Sequence, residues 1–266
     1  MASAPPSEII AFEGVGKTFV QNAKEIIATT GISVRIREGE IVTIVGPSGC
    51  GKTTMLNLVA GLIRPSAGTV RYRGEVIDAI NGRTGYMTQS DHLLPWRDVA
   101  SNIAVPLEIR NTPRGERQKR VAELIALVGL SHFENTYPSR LSGGMKKRAA
   151  LARLLAYDPE TLLLDEPFAA LDAQLRVRMQ MELFGLSRRL KKTVLFVTHD
   201  LDEAVALGDR CLVFSARPGT IVKDVEIPLP YDRDILNLRR DTRYKHVCGE
   251  LWDFIAPALA REGGQG

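Results

Sequence analysis

Gly46-Pro47-Ser48-Gly49-Cys50-Gly51-Lys52-Thr53-Thr54 follows the apolar, β-branched run Ile41-Val42-Thr43-Ile44-Val45 and opens a stretch of helical spacing that ends at Gly61. It satisfies the pattern G-x-x-x-x-G-K-[ST], a loop that cradles the phosphates of a nucleotide. Glycines at 46, 49 and 51 let backbone N–H groups face an anion with no Cβ in the way. The helix N-terminus that follows adds its partial positive charge. In this pattern Lys52 brings a point charge to the β- and γ-phosphates, and Thr53 offers a hydroxyl to Mg²⁺. A plain glycine-rich turn has no need of the strand before it and the helix after it; this stretch has both.

Outward from that loop, strands and helices alternate. A turn at Pro65-Ser66-Ala67-Gly68 leads to a strand over 69–72, and short β-rich runs are expected from Ile9 to about Arg73. From about Ser90 to Ser139 the character is helical, with Val121, Leu124, Ile125 and Val128 forming one apolar stripe. The helix-then-strand rhythm resumes with helices over about 144–156, 173–190 and 202–207 and strands over 161–164, 193–198 and 211–214. This predicts an α/β fold with a mostly parallel sheet, helices on both sides and a helical insertion. Past Pro228, Val247, Leu251, Phe254 and Ile255 fall at helical spacing, which reads as a packing helix, with partner binding as the alternative. The expected layout is a tail over 1–8, a nucleotide-binding domain over 9–228 with its helical insert at about 90–157, and an extension over 229–266.

Bulk properties set outer limits. The 266 residues carry 44% apolar and 25% charged side chains and a formal net charge of +4, ordinary for a globular domain and too small to imply a polyanionic partner. Cys50, Cys211 and Cys248 lie far apart without a C-x-x-C pair, which argues against a zinc site or disulfide framework and fits a reducing compartment. The first seven residues lack the basic start and apolar core of a signal peptide. No run approaches the roughly 18 apolar residues of a membrane span. A membrane role is therefore expected to come from docking onto another protein.

Asp165-Glu166 ends the apolar run Leu162-Leu163-Leu164. Ligand-handling groups in open α/β sheets collect at the carboxyl ends of strands, so this pair is placed to hold Mg²⁺ through Asp165 and to polarise water through Glu166. Alone, the pair is equally well read as a solvated strand end.

Leu141-Ser142-Gly143-Gly144-Met145 resembles the LSGGQ signature of the nucleotide-binding subunits of ABC transporters, departing from it only at Met145, and the likeness extends over nearly all of residues 9–225. It implies a P-loop NTPase core with an N-terminal β subdomain and an inserted helical signature subdomain. It also assigns roles by position. Gln89, in Tyr86-Met87-Thr88-Gln89, matches the glutamine that touches Mg²⁺ and links core to insert. Asp172, in Ala169-Ala170-Leu171-Asp172, matches the loop lining the subunit junction. His199, in Val197-Thr198-His199-Asp200, matches the histidine at the γ-phosphate. Phe19 stands where the family stacks an aromatic on adenine, though a core aromatic is the other reading. The resemblance makes Lys52, Gln89, Glu166 and His199 catalytic. Thr53, Gln89 and Asp165 become metal ligands. Phe19, residues 46–54, Ser142, Gly143, Gly144 and Asp172 form the nucleotide's surroundings. Cys50 is either an activated thiol at a helix start or an inert occupant of the loop.

Each ATP in such proteins lies between the phosphate loop of one subunit and the signature of another, and this chain has one copy of each. The resemblance therefore implies a second ATP-binding subunit, by default an identical one, together with a membrane permease and an extracytoplasmic binding protein, at the cytoplasmic face of the membrane. Leu93-Leu94-Pro95-Trp96 and Ser215-Ala216-Arg217-Pro218-Gly219 resemble importers of nitrate, sulfonate, taurine or bicarbonate, with Trp96 either an anchor for the permease or a buried aromatic. Two alternatives are a lipid, amino-acid or cation transport system, and a non-transport ABC protein acting on nucleic acid. The latter commonly carries paired cassettes, zinc modules or coiled-coil inserts, none of which this sequence contains.

Overall fold

The computed structural model describes residues 7–21, 23–169 and 171–262; residues 1–6 of the expected tail and Ala170 of the 169–172 segment lie outside them. β1 (Glu8–Gln21) and β2 (Lys24–Arg37) pair antiparallel along fourteen residues each. These are longer than the short runs expected from the sequence. Gly14 and Gly16 lie at register shifts inside the ladder, where a bulge kinks the strand without ending it.

β3 (Ile41–Val45) is buried at all five positions, the mark of a strand covered on both faces. The glycine-rich loop then leads into α1 (Lys52–Val59), which closes at Gly61 with N–H bonds from Gly61 to Leu58 and from Leu62 to Asn57. β4 (Ala67–Tyr72) and the short β5 (Glu75–Val76) complete a four-stranded antiparallel sheet ordered β2-β1-β4-β5. β6 (Thr84–Met87) returns to the main sheet. The insertion follows as α2 (Val99–Ile109), α3 (Arg114–Leu127) and α4 (Gly143–Tyr157). Then come β7 (Thr161–Asp165), α5 (Ala173–Arg189), β8 (Thr193–Val197), α6 (Leu201–Leu207), β9 (Arg210–Phe214), β10 (Ile221–Glu226) and α7 (Thr242–Glu262).

The main sheet runs β10-β9-β3-β8-β7-β6, parallel from β9 through β6 with β10 antiparallel at the edge. Alternation along each strand splits the core in two. Leu163, Leu195 and Ile44 pack with α1 and the antiparallel sheet, whereas Leu162, Leu164 and Phe196 pack with the helical insertion and α5. This is the α/β fold with an N-terminal β subdomain and an inserted helical unit.

Tyr244, Val247, Leu251 and Ile255 of α7 join a third cluster with α6 and β9. Phe254, expected on the packed stripe, faces outward with the Lys223 ammonium 5.2 Å from its ring centre. The stripe is narrower than helical spacing alone suggested, because α7 packs mainly on α6 and β9, and Phe254 lies off that line of contact.

Candidate active site

Parallel order puts the carboxyl ends of β3, β6, β7 and β8 on one edge of the sheet, and every loop singled out by sequence except those at Phe19 and Ser142 leaves from that edge or next to it. Gly51 caps α1 in the left-handed region at φ 100°, and a Cβ there would stand 2.3 Å from the Thr29 methyl. Both the backbone angle and the space therefore call for glycine. The Lys52 ammonium turns back along the loop and donates to the carbonyls of Gly46 and Pro47, each at 2.7 Å. Its charge is thus centred on the loop, with Cys50 Sγ 3.8 Å away. Ser48 is exposed and Thr54 buried.

The Cys50 thiol is buried, and burial pushes its pKa up despite the Lys52 charge nearby. That overturns the activated-thiol reading: loss of hydration outweighs the favourable charge at the helix start.

Thr53 Oγ1 donates to Asp165 Oδ2 at 2.8 Å. Asp165 is 4% exposed, and burial raises its pKa; the Thr53 hydrogen bond and the Lys52 charge oppose the shift. Next to it, Glu166 adopts φ 50° and donates its N–H to Val197 O at 2.9 Å, which pins the turn after β7 to the end of β8. A left-handed non-glycine residue is strained by about 1 kcal/mol or more, and such strain collects where a side chain must be aimed. Here the aim is clear. Glu166 Oε2 lies 3.4 Å from Gln89 Nε2 and Oε1 lies 3.5 Å from His199 Nδ1, so the carboxylate bridges the loops after β6 and β8. His199 is 66% exposed on its side chain, open to whatever enters the site.

Ser142 and Asp172 serve as helix caps, accepting from the N–H groups of Met145 at 3.3 Å and Leu175 at 2.9 Å. Among the described residues, no hydrogen bond joins Ser142, Gly143 or Gly144 to the loop at 46–54. Phe19 is 38% exposed on β1 and Trp96 70% exposed, so neither is the core aromatic that one reading of each allowed. β1 brings Phe19 near the glycine-rich loop, since its neighbour Lys17 pairs with Thr29, the residue packed on Gly51.

Several residues were not anticipated. Arg217 donates from Nε to Gly49 O at 3.2 Å, tying the 215–219 segment to the phosphate loop. Lys147 reaches the carbonyls of Thr88 and Gln89, and Arg153 those of Asp91 and His92. The spacing of Lys147 with Ala150, Leu151 and Leu154 on the buried face of α4 is the one sequence signal that this lysine points inward.

Comparison with known proteins gives the family. The family model described as ABC transporter matches residues 29–169. The chain belongs to the ABC transporter ATP-binding family. An uncharacterized ABC transporter ATP-binding protein of Methanocaldococcus jannaschii is 46% identical over 247 residues, covering 93% of this chain and 92% of the relative. The aliphatic sulfonates import ATP-binding protein SsuB of Bacillus cereus is 40% identical, covering 84% of this chain and 88% of that one. The bicarbonate transport ATP-binding protein CmpC of Synechococcus elongatus is also 40% identical, over 94% of this chain but 38% of its own length. In three dimensions, the dimeric post-hydrolysis state of an ATP-binding cassette bound to ADP and Pi superposes with a TM-score of 0.77 at 31% identity, covering 84% of this chain and all of that one. As an ABC family member, the chain is an ATP-binding ATPase subunit of a transporter.

Proposed function

We propose that this ABC subunit powers the import of a small anion, with two copies of the chain closing around two ATP molecules and opening after hydrolysis. The observation that carries the reading is Glu166 held between Gln89 and His199 at the strand edge that bears the phosphate loop. In this reading Lys52 and the loop N–H groups hold the β- and γ-phosphates, Phe19 stacks on adenine, and the Ser142-Gly143-Gly144 segment of a second copy closes over the γ-phosphate. Asp172 lines the junction between copies. Glu166 orients the attacking water and takes its proton, while His199 steadies both carboxylate and phosphate. Phosphoryl transfer asks mainly for such positioning and charge stabilisation.

Thr53, Gln89 and Asp165 would hold Mg²⁺. A hydroxyl, an amide oxygen and a carboxylate make an all-oxygen set suited to a hard cation, and a buried carboxylate with a raised pKa is one short of positive charge. When bound, the ion neutralises phosphate charge.

Residues 9–228 form the ATPase domain in this account, and 229–266 an extension. A groove between β6, α2 and α4, lined by Thr88, His92, Leu94, Val105, Pro106 and Tyr157, faces the permease, with exposed Trp96 at its side. Among the described residues no helix is long and apolar enough to cross a membrane, so attachment at the cytoplasmic face would come through that permease. The anion class rests on the likeness to the sulfonate and bicarbonate proteins; a binding protein outside the membrane would choose the substrate.

Affinity capture of tagged Glu166→Gln protein from native membranes with ATP tests this. Co-purification of a multi-span permease is expected, and the companion binding protein can then be screened against nitrate, bicarbonate and sulfonates. Capture of ribosomal or nucleic-acid proteins without a permease would contradict the importer.

A further inference from the structure

The loop after β6 leaves the sheet at Met87, the last residue of that strand paired with β7. Its next stretch takes its outward support from α4. Lys147 donates to Thr88 O at 3.5 Å and also to Gln89 O. Arg153, two turns along the same helix, donates to Asp91 O at 3.0 Å and His92 O at 2.8 Å. Two cations on one helix therefore take the carbonyls of four residues, 88, 89, 91 and 92. Lys147 is 8% exposed, and burial lowers its pKa against the opposing charges of Asp91, Asp165 and Glu166. An ammonium so far out of water is kept there only by acceptors that replace hydration.

The same helix begins at the Ser142 cap. A fifteen-residue helix moves as a rod about 22 Å long, so its start and the residue five positions along it shift together. We infer that Lys147 is a positioning residue that fixes the main chain of Gln89 to α4 and so holds its side chain at the contact with Glu166. The inference deepens the proposed function and rests on it for the meaning of Gln89 and Glu166. The tether itself stands on the hydrogen bonds alone. Lysine suits the task because its three donors on a flexible stem can follow two adjacent carbonyls, which a neutral chain of equal length cannot.

Lys147→Met keeps the length and apolar stem, and Lys147→Arg keeps the charge. The tether predicts that Lys147→Met speeds hydrogen exchange at the Leu93 and Leu94 amides while amides of β6 and β7 stay protected. It also predicts that kcat for ATP falls about tenfold with KM within about twofold, roughly a 1.4 kcal/mol effect on the chemical step, and that Lys147→Arg recovers most of kcat. If the methionine variant does not fold, Lys147→Gln, whose neutral amide is one bond shorter and cannot span both carbonyls, is read in its place with the same expectations. Unchanged loop exchange in a folded variant overturns the tether. Faster exchange with kcat unchanged overturns its role in positioning Gln89. If the unaltered protein hydrolyses no ATP, the proposed function fails, and the exchange result alone judges the tether.

Discussion

Thr53 Oγ1 donates to Asp165 Oδ2 over 2.8 Å, although Thr53 follows β3 and Asp165 ends β7, two strands separated by β8. The bond closes the site across the sheet, but it leaves Asp165 under-compensated, with its pKa raised by burial. A carboxyl raised in the folded state contributes stability below the ordinary aspartate value of 3.8, and that contribution is lost as pH rises through the folded pKa. Asp165→Asn is therefore expected to raise the melting temperature at pH 7 without metal and to flatten its fall as pH rises above the ordinary aspartate value. It should also reduce Mg²⁺-dependent ATP hydrolysis by about 100-fold or more. Melting curves in chelator and turnover assays check both; a lower melting temperature at pH 7 contradicts the first.

Glu166 between Gln89 and His199 leads to a pair of kinetic expectations. Glu166→Gln retains nucleotide binding but loses about 100- to 1,000-fold in kcat, as removal of a group that acts on the attacking water does. His199→Ala lowers kcat by a similar order with little change in KM. Near-normal turnover in the glutamine variant would remove Glu166 from its assigned role.

Arg210 and Glu40 form a buried pair at 2.9 Å, and Arg210 also donates to Arg35 O, joining β9 to the antiparallel sheet. Burial raises the Glu40 pKa despite the arginine. Arg210→Met strands that carboxyl, and a loss of about 3–5 kcal/mol in denaturant unfolding is expected. The double variant with Glu40→Gln should regain part of it; failure to do so would assign the loss to the Arg35 and Asp224 contacts.

Gly219 packs so tightly on the phosphate loop that a Cβ there would stand 1.7 Å from Cys50 O. Gly219→Ala is expected to displace that loop, lowering stability and raising KM for ATP about tenfold, roughly 1.4 kcal/mol. Gly249→Ala is the control. It lies in α7 with no heavy atom beyond the helix's own nearby backbone within 4 Å of the added methyl, so helix propensity alone predicts a gain of about 0.5–1 kcal/mol.

What could be read from the sequence follows a physical division. β3 and the loop after it declare themselves locally, because a strand buried on both faces is apolar throughout and a phosphate loop needs glycine at fixed places. The caps at Ser142 and Asp172 are equally local, since each side chain bonds an N–H three residues on. By contrast, Lys147, Arg153 and Arg217 act on main-chain carbonyls from distant segments, and a carbonyl acceptor has no residue type to announce it. The long β1 and β2 were hidden because glycines at bulges look like glycines at turns. Cys50 reads either as an activated thiol or as an inert loop occupant until the 215–219 segment is seen packed against it.

The central claim is that this chain supplies half of each nucleotide site, and the most direct measurement is the mass of Glu166→Gln protein in solution with ATP and Mg²⁺, by light scattering coupled to gel filtration. The account predicts a monomer of 29.3 kDa without nucleotide and, with ATP, a species of about twice that mass retaining one ATP per chain. A protein that binds ATP yet remains at the monomer mass at every concentration tested would contradict it.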